Sequence, residues 1–334
     1  MKELIKKNLL PFICLIVLLV LLIVGSIWDL QISQKVVDLK EGNYYTHNLF
    51  GIIFEIIGEM PIYLITAFAS ALIFHNFKRR EKSFFNVAVQ VFAVLVSVAL
   101  LFYMNYKLFK YLSIHLDFTD FIGGIGDTVA YFLLGACMTF LLFYLTQRLP
   151  SAFLNKMLVW ALIVWGTAFI SQVLTHLLKA VAARPRYRAM FMMDDFSVYR
   201  RWFQFQWGIP EIEDDLVVLY NAGSDWFKSF PSGHTSAGAM VITLTLIPSL
   251  FEKTNTLTKK VVTLSVVIAY VLAVMFSRIL VGAHFLTDVT FGALITLGST
   301  CLSVFIVKKI MKKVTITNLV ERQKPCLIEE EIKN

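Results

Sequence analysis

Charged residues are scarce in this sequence. Aspartate, glutamate, lysine and arginine together make up 16% of its 334 residues, whereas hydrophobic residues make up 57%. An average soluble domain has about 25% charged residues, and the mean hydropathy of this chain is +0.70. The composition therefore excludes an ordinary soluble domain and predicts an integral membrane protein.

Cysteines and repeats are also few. The four cysteines lie in apolar runs and in the C-terminal tail, at Cys14, Cys137, Cys301 and Cys326. This spread indicates no disulfide framework, and the cysteines are expected to be packing residues. The sequence has no internal repeat and no low-complexity tract, so it does not predict a repeat architecture.

Long apolar runs are what the sequence has in abundance. A membrane-spanning helix needs about 20 apolar residues, and about eight runs approach this length. They cover residues 9–28, 60–77, 84–106, 129–147, 157–182, 235–251, 261–276 and 285–307. An earlier start of the second run, near Leu49, also fits. The prediction is an all-α, polytopic membrane helical bundle.

The basic residues predict the orientation of this bundle. Lys and Arg follow every second helix, as in Arg79 and Arg80 after the second and Lys308 and Lys309 after the eighth. Because cytoplasmic connections are enriched in these residues, both termini are expected to be cytoplasmic. These cytoplasmic basic residues account for most of the formal net charge of +8. No pattern suggests nucleic-acid binding.

Two connections predicted to face outward break this rule. The segment from the end of the fifth helix to the sixth holds a group of basic residues that includes Lys179, Arg184, Arg186, Arg188, Arg200 and Arg201. The other connection, between helices seven and eight, reads Ser-Arg-Ile-Leu-Val-Gly-Ala-His-Phe-Leu-Thr-Asp from Ser277 to Asp288. A charge inside hydrocarbon costs about 2.5 to 3.5 kcal/mol on insertion scales. These residues therefore indicate an anionic ligand.

The stretch Pro-Ser-Gly-His, residues 231–234, comes just before an apolar helix. Ser232 is a good N-cap, and the free N–H groups around Gly233 would form an oxyanion cradle with His234 beside it. His284 and Asp288 are four residues apart and share one helical face. The carboxylate could then hold one ring nitrogen of His284 and leave the other as a base or nucleophile.

This combination of residues suits phosphoryl transfer. Basic groups would neutralise the phosphoryl oxygens, one histidine would attack phosphorus, and the other would protonate the leaving oxygen. A metal ion is the rival use of His and Asp. It would be repelled by Lys179, Arg186 and Arg278, and no carboxylate-rich shell is present, so neither a metal nor another cofactor is expected.

The three segments resemble the type 2 phosphatidic acid phosphatase superfamily, which includes lipid phosphatases and vanadium haloperoxidases. Its signatures are Lys-x6-Arg-Pro, Pro-Ser-Gly-His and Ser-Arg-x5-His-x3-Asp, and the second and third are intact here. The first reads Lys179 to Arg186, with Tyr187 in place of the proline. A frame on Arg184 and Pro185 is two residues short, so Arg186 is favoured.

The resemblance implies a role for each matched residue. His284 would be the nucleophile that forms a phosphohistidine, Asp288 would orient it, and His234 would be the general acid. The phosphoryl oxygens would be held by Lys179, Arg186, Arg278, Ser232 and Gly233. Three regions follow: N-terminal helices one to four in residues 1–156, a phosphatase core in 157–313, and a cytoplasmic tail in 314–334.

The expected function is hydrolysis of a lipid phosphate or diphosphate by an enzyme of the bacterial cell membrane whose active site faces outside. Undecaprenyl diphosphate, phosphatidate and phosphatidylglycerol phosphate all fit, and the membrane lipid and bilayer are the only partners implied. A lipid phosphotransferase and a non-catalytic lipid-phosphate binder or transporter stay open as alternatives. The sequence does not indicate an oligomeric state.

Three polar residues outside the motifs, Glu55, Glu59 and His115, lie near predicted membrane edges. Glu55 and Glu59 lie four residues apart near the outward end of the second helix. They fit a solvated helix start or a lining of the substrate entrance equally well. His115 falls at a membrane edge and is expected to be solvated.

Overall fold

The computed structural model describes residues 2–40, 44–116, 124–205 and 223–331, with side chains described for residues 12–312 within these ranges. Every regular element in the described residues is helical. The α-helices, numbered α1 to α10 in chain order, are Lys2–Val36, Leu49–Ile57, Met60–Lys78, Phe84–Leu116, Ile125–Thr146, Ser151–Ala182, Tyr187–Met193, Gly233–Gly238, Leu257–Leu280 and Leu286–Glu331. This agrees with the predicted all-α class.

Seven segments of the described chain are long and apolar enough to cross a membrane. They are Phe12–Val36, Leu49–Lys78, Phe84–His115, Ile125–Thr146, Ser151–Met193, Leu257–Leu280 and Leu286–Lys312. The second combines α2 and α3, as the earlier start near Leu49 allowed. Many large apolar side chains on these helices are exposed, for example Phe140 at 73% and Phe169 at 72%. Such surfaces belong in a bilayer, and the chain is an integral membrane protein.

The sixth predicted helix, residues 235–251, is not among these seven. Its residues form the short helix α8 and then a 3-10 helix from Ala239 to Leu250 that contains Pro248. A 3-10 helix rises about 2.0 Å per residue instead of about 1.5 Å, so it is narrower and longer. The count of about eight spanning helices is therefore not confirmed, although the other seven predicted runs overlap the seven segments.

Close backbone packing accompanies this change of helix type. A Cβ added at Gly238 would lie 2.5 Å from the carbonyl oxygen of Gly58, so only glycine fits where α8 meets the start of α3. In the largest core cluster, Trp160 of α6 is 1% exposed, and its indole N–H donates to the carbonyl of Thr243 at 2.8 Å. The 3-10 segment is thus fixed against α6.

Helix packing brings the N-terminal half of the chain against the C-terminal half. Helix α3 packs against α4 and α6, α6 packs against α10, and α1 lies along α10. The short helix α2 contacts both α9 and α4. It begins at an N-cap, Asn48, whose side chain accepts hydrogen bonds from the N–H groups of Phe50 and Gly51. Residues of α2 and α4 are thereby placed beside the motif-bearing connections.

Candidate active site

Three connections between helices meet around His284. The backbone N–H of Ser229 donates to the carbonyl of Arg184, and that of Ser232 donates to the carbonyl of Asp288, both at 3.0 Å. These bonds tie the three motif-bearing segments together. Of the eight predicted site residues, Lys179 and Gly233 are partly buried and the other six are buried.

His284 is held by a backbone carbonyl. Its Nδ1 lies 2.6 Å from the carbonyl oxygen of Ser229. Because a carbonyl only accepts, Nδ1 carries the proton and Nε2 keeps its lone pair. The nearest oxygen of Asp288 lies 3.8 Å from Nδ1, beyond hydrogen-bond distance. The prediction that Asp288 itself holds the ring nitrogen is corrected accordingly.

Asp288 acts on His284 through Ser229. One of its oxygens accepts from the hydroxyl of Ser229 at 2.5 Å and from the backbone N–H of Phe285 at 2.8 Å. The other accepts from Nη1 of Arg184 at 2.6 Å. The carboxylate is therefore turned toward Arg184, while the same Ser229 presents its carbonyl to the imidazole.

Arg184 is a buried structural ion-pair partner. It is 1% exposed, and besides Asp288 it binds Asp29 of α1 at 3.0 Å. Its guanidinium also lies 4.2 Å from the ring centre of Phe285. With these contacts Arg184 has little capacity left for a ligand, which favours the motif frame on Arg186.

Arg186 is paired with an acidic residue that the sequence analysis did not single out. Its Nε donates to the carbonyl of Asp225 at 2.8 Å and its Nη2 to the carboxylate of Asp225 at 2.9 Å. Burial alone would raise the pKa of Asp225, but the charges of Arg186, Arg188 and Lys179 outweigh it and lower that pKa to about 2. The Asp225 side chain is 65% exposed, so an incoming anion can replace it on Arg186.

Electrostatics keep the nucleophile candidate neutral. Burial lowers the pKa of the His284 imidazole, and the charges of Arg186 and Lys179 lower it further, to about 3. The nearby carboxylate of Asp288 acts in the opposite direction and does not compensate. At neutral pH the ring is therefore uncharged, as attack by Nε2 requires.

Ser232 takes the predicted N-cap position of α8. Its hydroxyl oxygen accepts from the backbone N–H of Thr235 at 3.3 Å and from the Thr235 hydroxyl at 3.0 Å. Gly233 stands next to the first motif, because a Cβ added there would lie 3.6 Å from Cε of Lys179. The amine of Lys179 donates to the carbonyl of Lys228 at 2.7 Å. The first and second motifs are thus in direct contact.

Arg278 is buried and incompletely bonded. It is 1% exposed, and its Nη2 donates to Oε1 of Glu55 at 3.0 Å. Its Nε and Nη1 have no hydrogen-bond partner among the described residues. Buried guanidinium N–H groups without partners are costly. Such unpaired N–H groups are available to bind an anion.

Glu55 is the centre of a polar cluster contributed by the N-terminal helices. Only 2% of it is exposed, and its Oε2 lies 3.0 Å from Nε2 of His115 on α4. Its backbone carbonyl lies 3.3 Å from Nε2 of His234, so this nitrogen of His234 is the donor. The solvated interpretations of Glu55 and His115 are therefore wrong, and a lining role for Glu55 fits.

A resident metal has no evident ligand set here. Among the residues that the structure describes, no three His, Cys, Asp or Glu side chains are grouped to hold a metal ion. Removal of metal by chelation is the test of the metal-free prediction.

The region around this site matches a known family. Residues 158–312 match the model of the PAP2 superfamily, whose members are generally phosphatases. Comparisons with curated proteins and with solved structures found no match. The matched region contains all eight predicted site residues, whereas Glu55 and His115 lie outside it. The resemblance drawn from the three motifs is confirmed for this part of the chain.

Proposed function

Residues 158–312 belong to the PAP2 superfamily, and from this premise we propose that the protein is a metal-independent membrane phosphatase. It hydrolyses a lipid phosphate or lipid diphosphate through a phosphohistidine intermediate. The single observation that supports this most is the 2.6 Å contact between Nδ1 of His284 and the carbonyl oxygen of Ser229. The Ser229 carbonyl fixes the proton on Nδ1, so Nε2 is left as a nucleophile beside the charges of Lys179 and Arg186.

The reaction proceeds in two steps. The lone pair of His284 Nε2 attacks phosphorus while the bond from phosphorus to the leaving oxygen breaks, and His234, which enters this step as the imidazolium, gives that oxygen its Nδ1 proton. Lys179, Arg186 and Arg278 hold the negative phosphoryl oxygens. Water then attacks the phosphohistidine, passes a proton to His234 and releases inorganic phosphate. Both residues return to their starting state.

The location of the site at the ends of membrane-spanning helices favours a lipid as the substrate. The site is built from the ends of helices α6, α9 and α10, all of which belong to membrane-spanning segments. A head group at the interface can enter while its tails stay in the bilayer. The basic residues of the opposite connections favour an extracytoplasmic position for this interface, which in a bacterial cell membrane would be the outer leaflet.

Phosphate release by the purified, detergent-solubilised protein tests the proposal. The substrates are undecaprenyl diphosphate, phosphatidate, phosphatidylglycerol phosphate and glucose 6-phosphate, each with EDTA present. The matched variant is His284→Asn, because the asparagine amide can still donate to the Ser229 carbonyl but has no nucleophilic nitrogen. We expect release by the wild type, inhibition by vanadate and no release by the variant.

Three outcomes would contradict the proposal. Loss of activity with EDTA would show that a metal ion is required. Consumption of substrate without free phosphate, together with phosphate on a second lipid, would identify a phosphotransferase. No turnover at all, with retained binding of the phosphorylated lipid, would favour a binder or transporter.

A further inference from the structure

Arg188 is a buried cation for which the phosphatase mechanism has no role. It is 4% exposed, and its Nε and Nη1 have no hydrogen-bond partner among the described residues. Nη1 makes only an ion pair of 3.8 Å with Oε1 of Glu55. Since removing a guanidinium from water without partners is costly, a ligand that occupies these N–H groups would stabilise it.

The backbone of Arg188 is fixed to the third motif. Its N–H donates to the carbonyl of Gly282 at 2.9 Å. Gly282 has a φ of 62°, which favours glycine, and an added Cβ there would lie 3.2 Å from Cβ of Arg188. This turn joins Arg278 to His284 in the chain. The position of Arg188 beside the reacting groups is therefore built into the fold.

Arg188 and Arg278 approach the same oxygen atom. Oε1 of Glu55 lies 3.0 Å from Nη2 of Arg278 and 3.8 Å from Nη1 of Arg188. One carboxylate shared with His115 does not neutralise two guanidinium groups, so the cluster keeps a surplus of positive charge. On both arginines the Nε and Nη1 atoms lack partners in the described part of the chain. Two neighbouring cationic groups with free donors match two neighbouring phosphates.

Aromatic stacking does not account for these free donors. The Arg188 guanidinium lies 4.2 Å from the ring centre of Tyr44 and 5.2 Å from that of Tyr45. Trp226 stacks on Tyr44 with ring centres 5.2 Å apart and so stiffens this wall. A ring covers the face of the guanidinium plane, whereas the N–H groups point out along its edge. The edge of Arg188 remains available to an anion.

We propose that Arg188 forms a second anion subsite that binds the inner phosphate of a lipid diphosphate while Arg278 holds the outer phosphate. This inference rests on the proposed phosphatase function and names its substrate class. His284 attacks the outer phosphorus, the bridging bond breaks, and His234 protonates the bridging oxygen, which leaves as a lipid monophosphate. Arg188 shares the Glu55 cluster with His234, the proposed acid for the leaving oxygen. It stabilises the charge that develops there.

The test compares undecaprenyl diphosphate with undecaprenyl phosphate, which share one lipid tail and differ in one phosphate. For each, kcat/KM is measured with the wild type and with Arg188→Met, which keeps the stem and removes the donors. We expect the variant to lose about tenfold to a hundredfold on the diphosphate, the usual effect of a lost hydrogen bond to a charged group. On the monophosphate its activity stays close to that of the wild type. Arg201→Met is the control, since Arg201 is exposed on the same connection.

Equal losses on both substrates, or no loss on either, would overturn the second subsite while leaving the phosphatase intact. If Arg188→Met does not fold, Arg188→Lys and wild-type inhibition decide the question. Methylenediphosphonate, which cannot be hydrolysed, is expected to inhibit the wild type at lower concentration than methylphosphonate. The reverse order would refute the inference. If the wild type hydrolyses neither lipid and neither phosphonate raises its unfolding temperature, the proposed phosphatase function is refuted together with the second subsite.

Discussion

The carboxylate of Glu55 on helix α2 lies 3.0 Å from Nη2 of Arg278 on helix α9. Arg278 belongs to the region that matches the PAP2 superfamily, and Glu55 lies outside it. The same glutamate reaches His115 through its other oxygen and His234 through its backbone carbonyl. The N-terminal helices thus supply side chains that contact two motif residues.

Glu55→Gln should impair both folding and turnover. Glutamine keeps a similar shape but loses the charge, and removing one partner of a buried ion pair typically costs about 3 to 5 kcal/mol. We expect a clear drop in the apparent unfolding temperature. Because Arg278 loses its anchor, kcat/KM should also fall at least about tenfold, which equals ~1.4 kcal/mol of transition-state stabilisation. Thermal unfolding and phosphate release measure the two effects.

Glu59→Gln is the matched control for this change. Glu59 lies four residues further on, just before α3, and pairs with Lys107 at 3.4 Å instead of with Arg278. Glu59→Gln should leave kcat/KM nearly unchanged. If both variants lost activity equally, the effect would come from the loss of a buried glutamate in this part of the chain and not from the contact with Arg278.

The motif residues could be predicted from the sequence because their chemistry lies in short, fixed spacings. His284 and Asp288 are four residues apart, as in the family signature, although His284 lies just before α10 begins at Leu286 and the two therefore do not share a helical face. Glu55 could not be predicted, since its partner Arg278 is 223 residues away and only the packing of α2 against α9 brings them together. The only signal was a pair of glutamates in an apolar segment, which fitted two interpretations.

Two other structural features could not be predicted, because each depends on contacts that the sequence pattern does not show. The bond from His284 to Ser229, 55 residues apart, depends on where the connection before Pro231 passes. The 3-10 helix Ala239–Leu250 begins beside a close backbone contact at Gly238, and an apolar run does not reveal that contact. Hydropathy indicates that a segment is buried in hydrocarbon, but it does not determine the helix type.

Substitutions at Arg184 and Arg186 should have different effects. Arg184→Lys keeps the charge but cannot bond both buried carboxylates, Asp29 and Asp288, so it should destabilise the protein by about 1.5 to 3 kcal/mol, the effect of a lost hydrogen bond to a charged group. Arg186→Lys should leave the unfolding temperature nearly unchanged and raise KM, because a point charge cannot replace the bidentate fork. Unfolding curves and initial rates on both variants provide the comparison. Similar stability losses in the two would mean that Arg186 is structural as well.

Arg278→Lys should lose most of the phosphatase activity. Arg278 has two guanidinium nitrogens without partners among the described residues, and lysine offers one compact ammonium in their place. We expect kcat/KM to fall by about tenfold to a hundredfold, as for a lost charge-assisted hydrogen bond. Phosphate release with EDTA present gives the measurement. A fully active Arg278→Lys would show that Arg278 does not hold the phosphoryl group.

Acid should destabilise the protein partly through His284. In the folded protein burial lowers the pKa of His284 to about 3, whereas an unfolded histidine titrates near about 6.5. Between these values the unfolded chain binds a proton that the folded one does not, so stability falls as the pH falls through this window. Each pH unit within it contributes about 1.4 kcal/mol, and lowering the pH from 7 to 5 therefore costs about 2 kcal/mol through this residue.

The pH dependence of the apparent unfolding temperature measures this effect. Asparagine at position 284 does not titrate and can still donate to the Ser229 carbonyl, so His284→Asn should lose less stability between pH 7 and pH 5 than the wild type. The control is His47→Asn, because His47 is exposed and its removal should leave the wild-type slope. Parallel curves for wild type and His284→Asn would mean that folding does not lower the pKa of His284. That result would contradict the low pKa that keeps the proposed nucleophile neutral below about pH 6.5.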